Sequence, residues 1–359
     1  MLEDLCRAIL TKDNKKYEFV TFDADLPSEA QYQELKDNHK FDFCVKQSFK
    51  SSPYMGAVSV KNPEYGFYLS RQDRIYDRYF SKKMKLEELL SDNIRECYEP
   101  KKTKKTTSGN EFSSGKFYSV ASSSRLAVSS FTKLTNNKLD YIDSIKIENQ
   151  KCKITKIKFE CDTKVKGIDD RSHCPQLDVY FTTEQNKTVF VEVKNHEILD
   201  SHKTIKLRWS YFENTGFLSK FGLNTQNICK KKVTKKNDNG TKTEEYYISI
   251  NNKFLTAKDF DCNWKGRHSH FDFKQFLCHL MGILSYAEDH QNEEIYFYYL
   301  VYRNKLYEQE TKSKLYEEFE AEVNEVFNVF KNKFPTIHFA LCYNDKYDTL
   351  KELNEESLE

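Results

Sequence analysis

Hydrophobic and polar positions alternate most regularly between residues 151 and 194, and this pattern predicts three consecutive strands. In the first strand the apolar positions move to the opposite face near Thr155, and a β-bulge at that point explains the change. The second and third strands cover Pro175–Phe181 and Thr188–Lys194, and the polar residues between them predict a hairpin turn. The sequence therefore predicts a three-stranded antiparallel meander.

The surrounding pattern predicts helices on both sides of these strands. Apolar residues at helical spacing predict four helices, over residues 117–134, 203–221, 273–287 and 315–330. Gln275 and His279, four residues apart, share one face of the third of these helices. Residues 294–301 are apolar on both faces, which is typical of a strand covered by helices, and residues 337–342 predict a last strand. This order predicts an α/β fold with a central mixed sheet.

The length of 359 residues suits one large domain or two ordinary ones. Residues 1–98 mix short apolar runs with turns and charges, which predicts an N-terminal α+β elaboration whose role the sequence does not indicate. Residues 99–116 are polar and predict a linker. The main domain is expected over residues 117–343, and residues 344–359 form an acidic tail.

Composition limits the class of protein. A hydrophobic content of 38% with 14% aromatic residues is enough for a packed core. The ten cysteines contain no C-x-x-C pair, which argues against a disulfide framework and a zinc ribbon. The spacing of the Cys and His residues between 262 and 279 fits no standard zinc knuckle. No membrane span or signal peptide is predicted, and a reducing cytoplasm is the expected location.

Three charged residues stand out on the otherwise apolar hairpin. Alternation places Glu192 and Lys194 on one face of their strand, and Asp178 begins the partner strand near the same end. Two carboxylates and a lysine are costly to bury unless they neutralise one another or hold a metal. The alternative is a surface hairpin that carries an ordinary Glu/Lys pair.

This pattern resembles the PD-(D/E)XK nuclease superfamily, whose members share the restriction-endonuclease-like fold. The aspartate of the family motif matches Asp178, and its Glu-x-Lys triplet matches Glu192-Val193-Lys194. The proline differs, because Pro175 stands three residues before the aspartate instead of next to it. Family members often have another acidic ligand on the helix before the first core strand. That helix has no internal acid here, and Glu111 lies just before it.

The resemblance implies Mg²⁺ as cofactor, with Mn²⁺ as a possible substitute. It implies that Asp178 and Glu192 hold the metal together with the carbonyl group of Val193. It also implies that Lys194 positions the attacking water and stabilises negative charge. Many family members place a glutamine on the helix after the Glu-x-Lys strand, for which Gln275 is the candidate. An ordinary surface glutamine is the alternative.

Positive charge is concentrated after the hairpin. Residues 202–258 contain twelve Lys or Arg and four Asp or Glu. Asn239-Gly240 is a strong turn signal, so a basic hairpin insertion is predicted near residues 229–250. Such a ribbon suits a polyanion, and the candidate nucleic-acid contacts are Lys230, Lys231, Lys232, Lys235 and Lys236. A solvated hairpin in a lysine-rich chain is the alternative.

These features together predict a metal-dependent DNA endonuclease that hydrolyses phosphodiester bonds, of the restriction or phage-defence type. A DNA repair or recombination nuclease is one alternative, although the sequence contains no G-x-x-x-x-G-K-[ST] motif of an ATPase. A non-cleaving nucleic-acid-binding module on the same fold is the other. DNA is the expected partner, and the sequence leaves open whether the chain forms a homodimer.

Overall fold

The computed structural model describes five short N-terminal strands and then residues 90–98, 122–136, 138–168, 174–194, 204–213, 216–223, 225–236, 241–262, 270–302 and 313–344. The predicted linker at 99–116, the candidate acid Glu111 and the tail beyond residue 344 lie outside the described residues. Within the described ranges, no helix has both the length and the apolar composition that a membrane span requires.

The strands are, in chain order, β1 (Arg7–Lys12), β2 (Lys15–Val20), β3 (Phe43–Lys46), β4 (Ala57–Val60), β5 (Tyr68–Leu69), β6 (Thr132–Thr135), β7 (Lys138–Tyr141), β8 (Ser144–Ile147), β9 (Gln150–Asp162), β10 (Gln176–Thr183), β11 (Lys187–Lys194), β12 (Ile228–Lys236), β13 (Lys242–Ile250), β14 (Lys253–Phe254), β15 (Glu294–Tyr302) and β16 (Ile337–Asn344). The α-helices are α1 (Asp92–Tyr98), α2 (Ser123–Phe131), α3 (Ser210–Glu213), α4 (Phe217–Lys220), α5 (Phe273–Asp289) and α6 (Ser313–Lys333). Single 3₁₀ turns cover Thr225–Asn227 and Ala257–Phe260.

A six-stranded sheet with the order β16-β15-β11-β10-β9-β8 forms the centre of the molecule. Strands β8 to β11 form an antiparallel meander, whereas β15 runs parallel to β11 and β16 runs parallel to β15. The sheet is therefore mixed, and the predicted order of meander, helix, strand, helix and strand is confirmed. The β-bulge is also confirmed, because Thr182 pairs with Lys156 and Thr183 pairs with Ile154, so that Thr155 is skipped in the register with β10.

Helices cover both faces of this sheet. Phe131 at the end of α2 contacts Phe181 of β10, with ring centroids 6.0 Å apart. On the opposite face, Phe190 of β11 contacts Tyr286 of α5 at 5.2 Å. Helix α6 packs beside α5 on that second face, and Phe276 of α5 belongs to a buried aromatic cluster that joins both helices to β15 and β16. This cluster fixes the position of α5 relative to β11.

Two predicted helices differ from the structure. The helix expected over 117–134 ends at Phe131. The hydroxyl of Thr132 donates a hydrogen bond to the carbonyl of Val128 at 2.8 Å, and from Thr132 onward the chain forms β6, which pairs with β7. The single helix predicted over 203–221 is wrong. The backbone amide of Ile205 donates to the carbonyl of Leu255 at 2.7 Å, so this segment pairs with the chain at the end of a second sheet, formed by β12 to β14. Among the described residues of 203–221, α3 and α4 are the helical parts. The cross-strand partner overrides the local helical spacing.

The second sheet consists of β12, β13 and β14, all antiparallel. The predicted basic hairpin is confirmed, since β12 and β13 pair from Ile228 and Ile250 to Lys236 and Lys242. The amide of Ile248 donates to the carbonyl of Leu207 at 2.9 Å, so the chain that follows the central hairpin is joined to the second sheet.

Candidate active site at the end of strand β11

Glu192 and Lys194 form a buried ion pair. All eight residues of β11 are buried, and both charged side chains lie on the face covered by α5. The ammonium group of Lys194 donates to Oε1 of Glu192 at 2.6 Å, and the two side chains are only 10% and 3% exposed, the lysine being the more exposed of the two. The predicted common face of these two residues is confirmed.

Gln275 is also part of this cluster. Its Oε1 accepts a hydrogen bond from the Lys194 ammonium at 2.6 Å. The backbone N–H of Gln275 donates to Oδ1 of Asp272, the N-cap residue of α5, at 2.9 Å. The capped first turn of α5 therefore holds the glutamine against the end of β11, and two acceptors fix the position of the ammonium group.

Asp178 lies at the same end of the hairpin. Its Oδ2 accepts a hydrogen bond from the backbone N–H of Val193 at 2.7 Å. The backbone pairing of β10 with β11 begins at Val179, which directly follows Asp178 and is the partner of Val191. The half-buried Asp178 carboxylate therefore binds a peptide group that lies between Glu192 and Lys194, and the predicted convergence of the three charged residues is present.

His279 was not predicted to contact the site, although its spacing from Gln275 on α5 was a usable signal. Its Nδ1 lies 3.2 Å from Oε2 of Glu192, without the geometry of a hydrogen bond. Burial, together with the charge of Lys194, lowers the pKa of His279 to about 3, against the opposing charge of Asp272 and a hydrogen bond to the backbone of Gln176. The imidazole is therefore neutral at physiological pH and does not form an ion pair with Glu192.

The pKa of Tyr299 is affected by the carboxylates of this region. It is the register partner of Glu192 in β15, and its buried hydroxyl has no hydrogen-bond partner in the described part of the chain. The pKa of Tyr299 lies well above its ordinary value because of burial, then because of the negative charges of Glu192, Asp272 and Asp178. Three carboxylates thus act on one point inside the protein, and such a region favours a cation.

Another acidic residue, Glu160 of β9, lies across from Asp178 in the sheet, between the register pairs Leu177–Cys161 and Val179–Phe159. Ser124 of α2 donates to Oε1 of Glu160 at 3.2 Å. The pKa of the buried Tyr98 phenol is raised first by burial and then by the charges of Glu160 and Asp178. Helix α2 therefore contributes a serine where the family resemblance implied an acid, and β9 brings in a carboxylate that the sequence pattern did not indicate.

The donor atoms at this end of β11 suit Mg²⁺. The ion prefers oxygen ligands, and proteins often hold it by one or two carboxylates, with waters and substrate oxygens completing the shell. Asp178 and Glu192 provide the carboxylates, and Val193 provides a backbone carbonyl. Among the residues that the structure describes, no group of three or more His, Cys, Asp or Glu has metal-binding geometry. These donors are oxygen atoms of the kind that Mg²⁺ prefers, and the described residues include no closed set of zinc ligands.

The lysines of the basic hairpin are partly neutralised by the adjacent strand. Lys232 lies 2.5 Å from Glu244, and Lys235 lies 2.6 Å from Glu245. Lys231 donates to a backbone carbonyl at 2.6 Å, and Lys230 lies over the rings of Trp209 and Tyr246. The side chain of Lys236 lies outside the described part of the structure. The contribution of these five lysines to nucleic-acid binding stays a prediction.

Asp178, Glu192, Lys194 and Gln275 thus converge at one end of the central hairpin, and this geometry defines the candidate site. Comparisons of the chain with models of protein families, with curated proteins and with solved structures found no match.

Proposed function

We propose that this chain is a metal-dependent nuclease with a restriction-endonuclease-like core, which hydrolyses phosphodiester bonds in DNA. The observation that carries the proposal is the position of the Lys194 ammonium, 2.6 Å from both Glu192 and Gln275, beside the anchored carboxylate of Asp178. The antiparallel meander followed by two parallel strands supports the same fold assignment. A role in restriction or phage defence is the biological setting that we infer.

Hydrolysis of a phosphodiester requires an attacking water, neutralisation of charge around phosphorus and assistance to the leaving oxygen. When bound, Mg²⁺ supplies charge neutralisation and a more acidic water. Asp178 and Glu192, with the carbonyl of Val193, would hold the ion. The Asp178 carboxylate keeps its orientation because the Val193 amide donates to it at 2.7 Å.

Lys194 and Gln275 have the remaining roles in the proposed site. Because two acceptors fix the ammonium of Lys194, its positive charge is preorganised towards the end of β11, where it stabilises charge that develops on the phosphoryl oxygens. Gln275 is a positioning residue in this scheme, since it holds the lysine. The electrostatic role is preferred over a general-base role because the ammonium is hydrogen-bonded to a carboxylate.

The experiment is a plasmid-nicking assay with the full chain in Mg²⁺, Mn²⁺, Ca²⁺ or a chelator. We expect cleavage in Mg²⁺ and Mn²⁺, and its loss in Asp178→Asn and Glu192→Gln, which remove a charge but little volume. Glu184→Gln is the matched control, because this exposed acid lies in the turn at the other end of the hairpin. Cleavage that survives the chelator, or that persists in both site variants, would refute the proposal.

A non-cleaving nucleic-acid-binding module is the second candidate. It is favoured by the absence of a three-residue metal cluster among the described residues. The same preparation would then bind a duplex without nicking plasmid under any of the metal conditions.

A further inference from the structure

A cavity of about 420 Å³ lies between the second sheet and the start of α5. Four cationic side chains and two tyrosines dominate its lining, namely Lys206, Arg208, Lys235, Lys274, Tyr211 and Tyr247. Its volume lies within the range of about 300 to 1,000 Å³ that is typical of small-ligand sites. Of these six residues, the sequence identified Lys235 as a candidate contact. Lys206, Arg208 and Tyr211 lie in the segment 203–221, where the apolar spacing predicted one helix.

The cavity carries an excess of positive charge. Lys235 and Arg208 both pair with Glu245, at 2.6 Å and 3.4 Å. Within the described part of the chain, Lys206 and Lys274 form no ion pair, and both are exposed to solvent at the cavity. The Lys206 ammonium lies over the ring of Phe254, 5.1 Å from its centroid, and such a contact leaves the cation free of a carboxylate partner. The four cationic side chains therefore outnumber the carboxylates that pair with them in the described residues, and the cavity can attract an anionic ligand.

Burial keeps two further titratable groups of the lining, Cys278 and Tyr211, neutral. Burial raises the pKa of the Cys278 thiol to about 11, so the thiol stays protonated at physiological pH. Burial also raises the pKa of the Tyr211 phenol. A phosphate in this cavity would therefore contact ammonium and guanidinium groups, and the protonated Cys278 and Tyr211 would not repel it.

The cavity and the candidate active site are built from the same segments. Lys274 immediately precedes Gln275 on α5, and Cys278 immediately precedes His279. Pro175, which also lines the cavity, stands three residues before Asp178. A group bound in the cavity therefore lies on the neighbouring side of α5 from the Glu192–Lys194 pair.

We propose that this cavity binds a phosphate group of the nucleic-acid substrate that neighbours the phosphate to be cleaved. The inference rests on the proposed function for the identity of the substrate. Ammonium groups attract phosphate as point charges, and a guanidinium donates to it in a bidentate manner. The bound phosphate is either a 5′-terminal group or an internal group of the backbone, and the chemistry of recognition is the same for both.

The test is a salt titration of binding by fluorescence anisotropy, with the full chain in Ca²⁺ to prevent cleavage. The probe is a short labelled DNA duplex, prepared with a 5′-phosphate or a 5′-hydroxyl. The cavity variant is Lys206→Gln/Lys274→Gln. The matched control is Lys253→Gln/Lys258→Gln, which removes the same charge from two exposed lysines of the same region that do not line the cavity.

A plot of the logarithm of the binding constant against the logarithm of the salt concentration has a negative slope. We expect the magnitude of this slope to decrease in the cavity variant by about 0.9 for each phosphate that it no longer neutralises, and to keep its wild-type value in the control. Equal slopes for the two variants would overturn the inference. A difference seen only with the 5′-phosphate duplex assigns the cavity to a terminal phosphate, and a difference seen with both duplexes assigns it to an internal one.

The outcome is separable from that of the proposed function. Plasmid cleavage, together with equal salt slopes for the cavity variant and the control, would refute phosphate binding in the cavity and leave the nuclease assignment intact. A lower slope in the cavity variant without plasmid cleavage would remove the nuclease assignment and support the phosphate cavity. A wild-type chain that does not bind the duplex would overturn both.

Discussion

Replacing Lys194 with methionine tests whether the site carries a buried charge pair that costs stability. The substitution keeps the length of the side chain and removes the cation that lies 2.6 Å from Glu192. Glu192 is 3% exposed in its side chain, so its charge is poorly solvated once the cation is removed. Removing one member of a buried ion pair typically costs about 3 to 5 kcal/mol, because the other charge stays buried. Lys194→Met should lose stability on this scale.

Urea unfolding followed by tryptophan fluorescence measures this loss, with the half-buried Trp209 as a reporter inside the described region. An m-value of about 3 kcal/mol/M converts the expected loss into a fall of about 1 to 1.7 M in the midpoint. The double variant Glu192→Gln/Lys194→Met should recover most of the loss, because it leaves no buried charge in the pair.

Lys153→Met is the matched control. Lys153 lies at the same distance of 2.6 Å from Glu184, but these side chains are 66% and 48% exposed. Solvent screens that pair, so the control midpoint should not change measurably. If Lys194→Met moves the midpoint no further than Lys153→Met, or if the double variant is no more stable than Lys194→Met, the buried-pair reasoning is refuted.

Three further predictions concern packing, backbone support and thiol reactivity. Gly282→Ala should lower the free energy of unfolding by about 1 to 3 kcal/mol, since a Cβ there would clash with Thr163 and crowd Pro175, and an unchanged melting curve would contradict this. The buried Oε2 of Glu322 accepts hydrogen bonds from the backbone N–H groups of His270 and Phe271, just before α5, at 2.7 and 2.9 Å. Glu322→Ala should therefore lower the free energy of unfolding in urea by at least about 2 kcal/mol, and a loss below about 0.5 kcal/mol would contradict this. Cys229 is exposed, and a hydrogen bond from a neighbouring serine lowers its thiol pKa, so Cys229→Ser should remove a fast phase of reaction with a thiol reagent near neutral pH; an unaltered time course would contradict this.

The elements of the central sheet were predictable because their signals are local. A change of phase near Thr155 identifies a bulge from the sequence alone, and residues 294–301, apolar on both faces, identify a strand covered by helices. The segment at 203–221 could not be assigned in this way. Its apolar residues have helical spacing, but Ile205 and Leu207 instead bond to strands that lie about forty residues or more later in the sequence. Only the folded chain brings those partners together.

The candidate site followed the same rule. Strand alternation alone places Glu192 and Lys194 on one face, and the hairpin brings Asp178 to the same end. The contact of His279 with Glu192, and the proximity of Glu160 to Asp178, depend on how α5 and β9 pack, and sequence spacing carries little of that information. The charge count around the basic hairpin was correct as a count, yet it could not indicate that Glu244 and Glu245 would neutralise part of it.

The most direct test of the central claim is the single-turnover rate of plasmid cleavage in Mg²⁺, compared between the wild-type chain and Asp178→Asn. Asparagine can still accept the hydrogen bond from the Val193 amide, so the fold of the hairpin is retained while a carboxylate is removed. We predict that the wild-type chain cleaves and that the variant is slower by a factor of at least about 100, the scale of losing one preorganised electrostatic group. A variant that cleaves within about tenfold of the wild-type rate, or a wild-type chain that does not cleave, would contradict the assignment of this site.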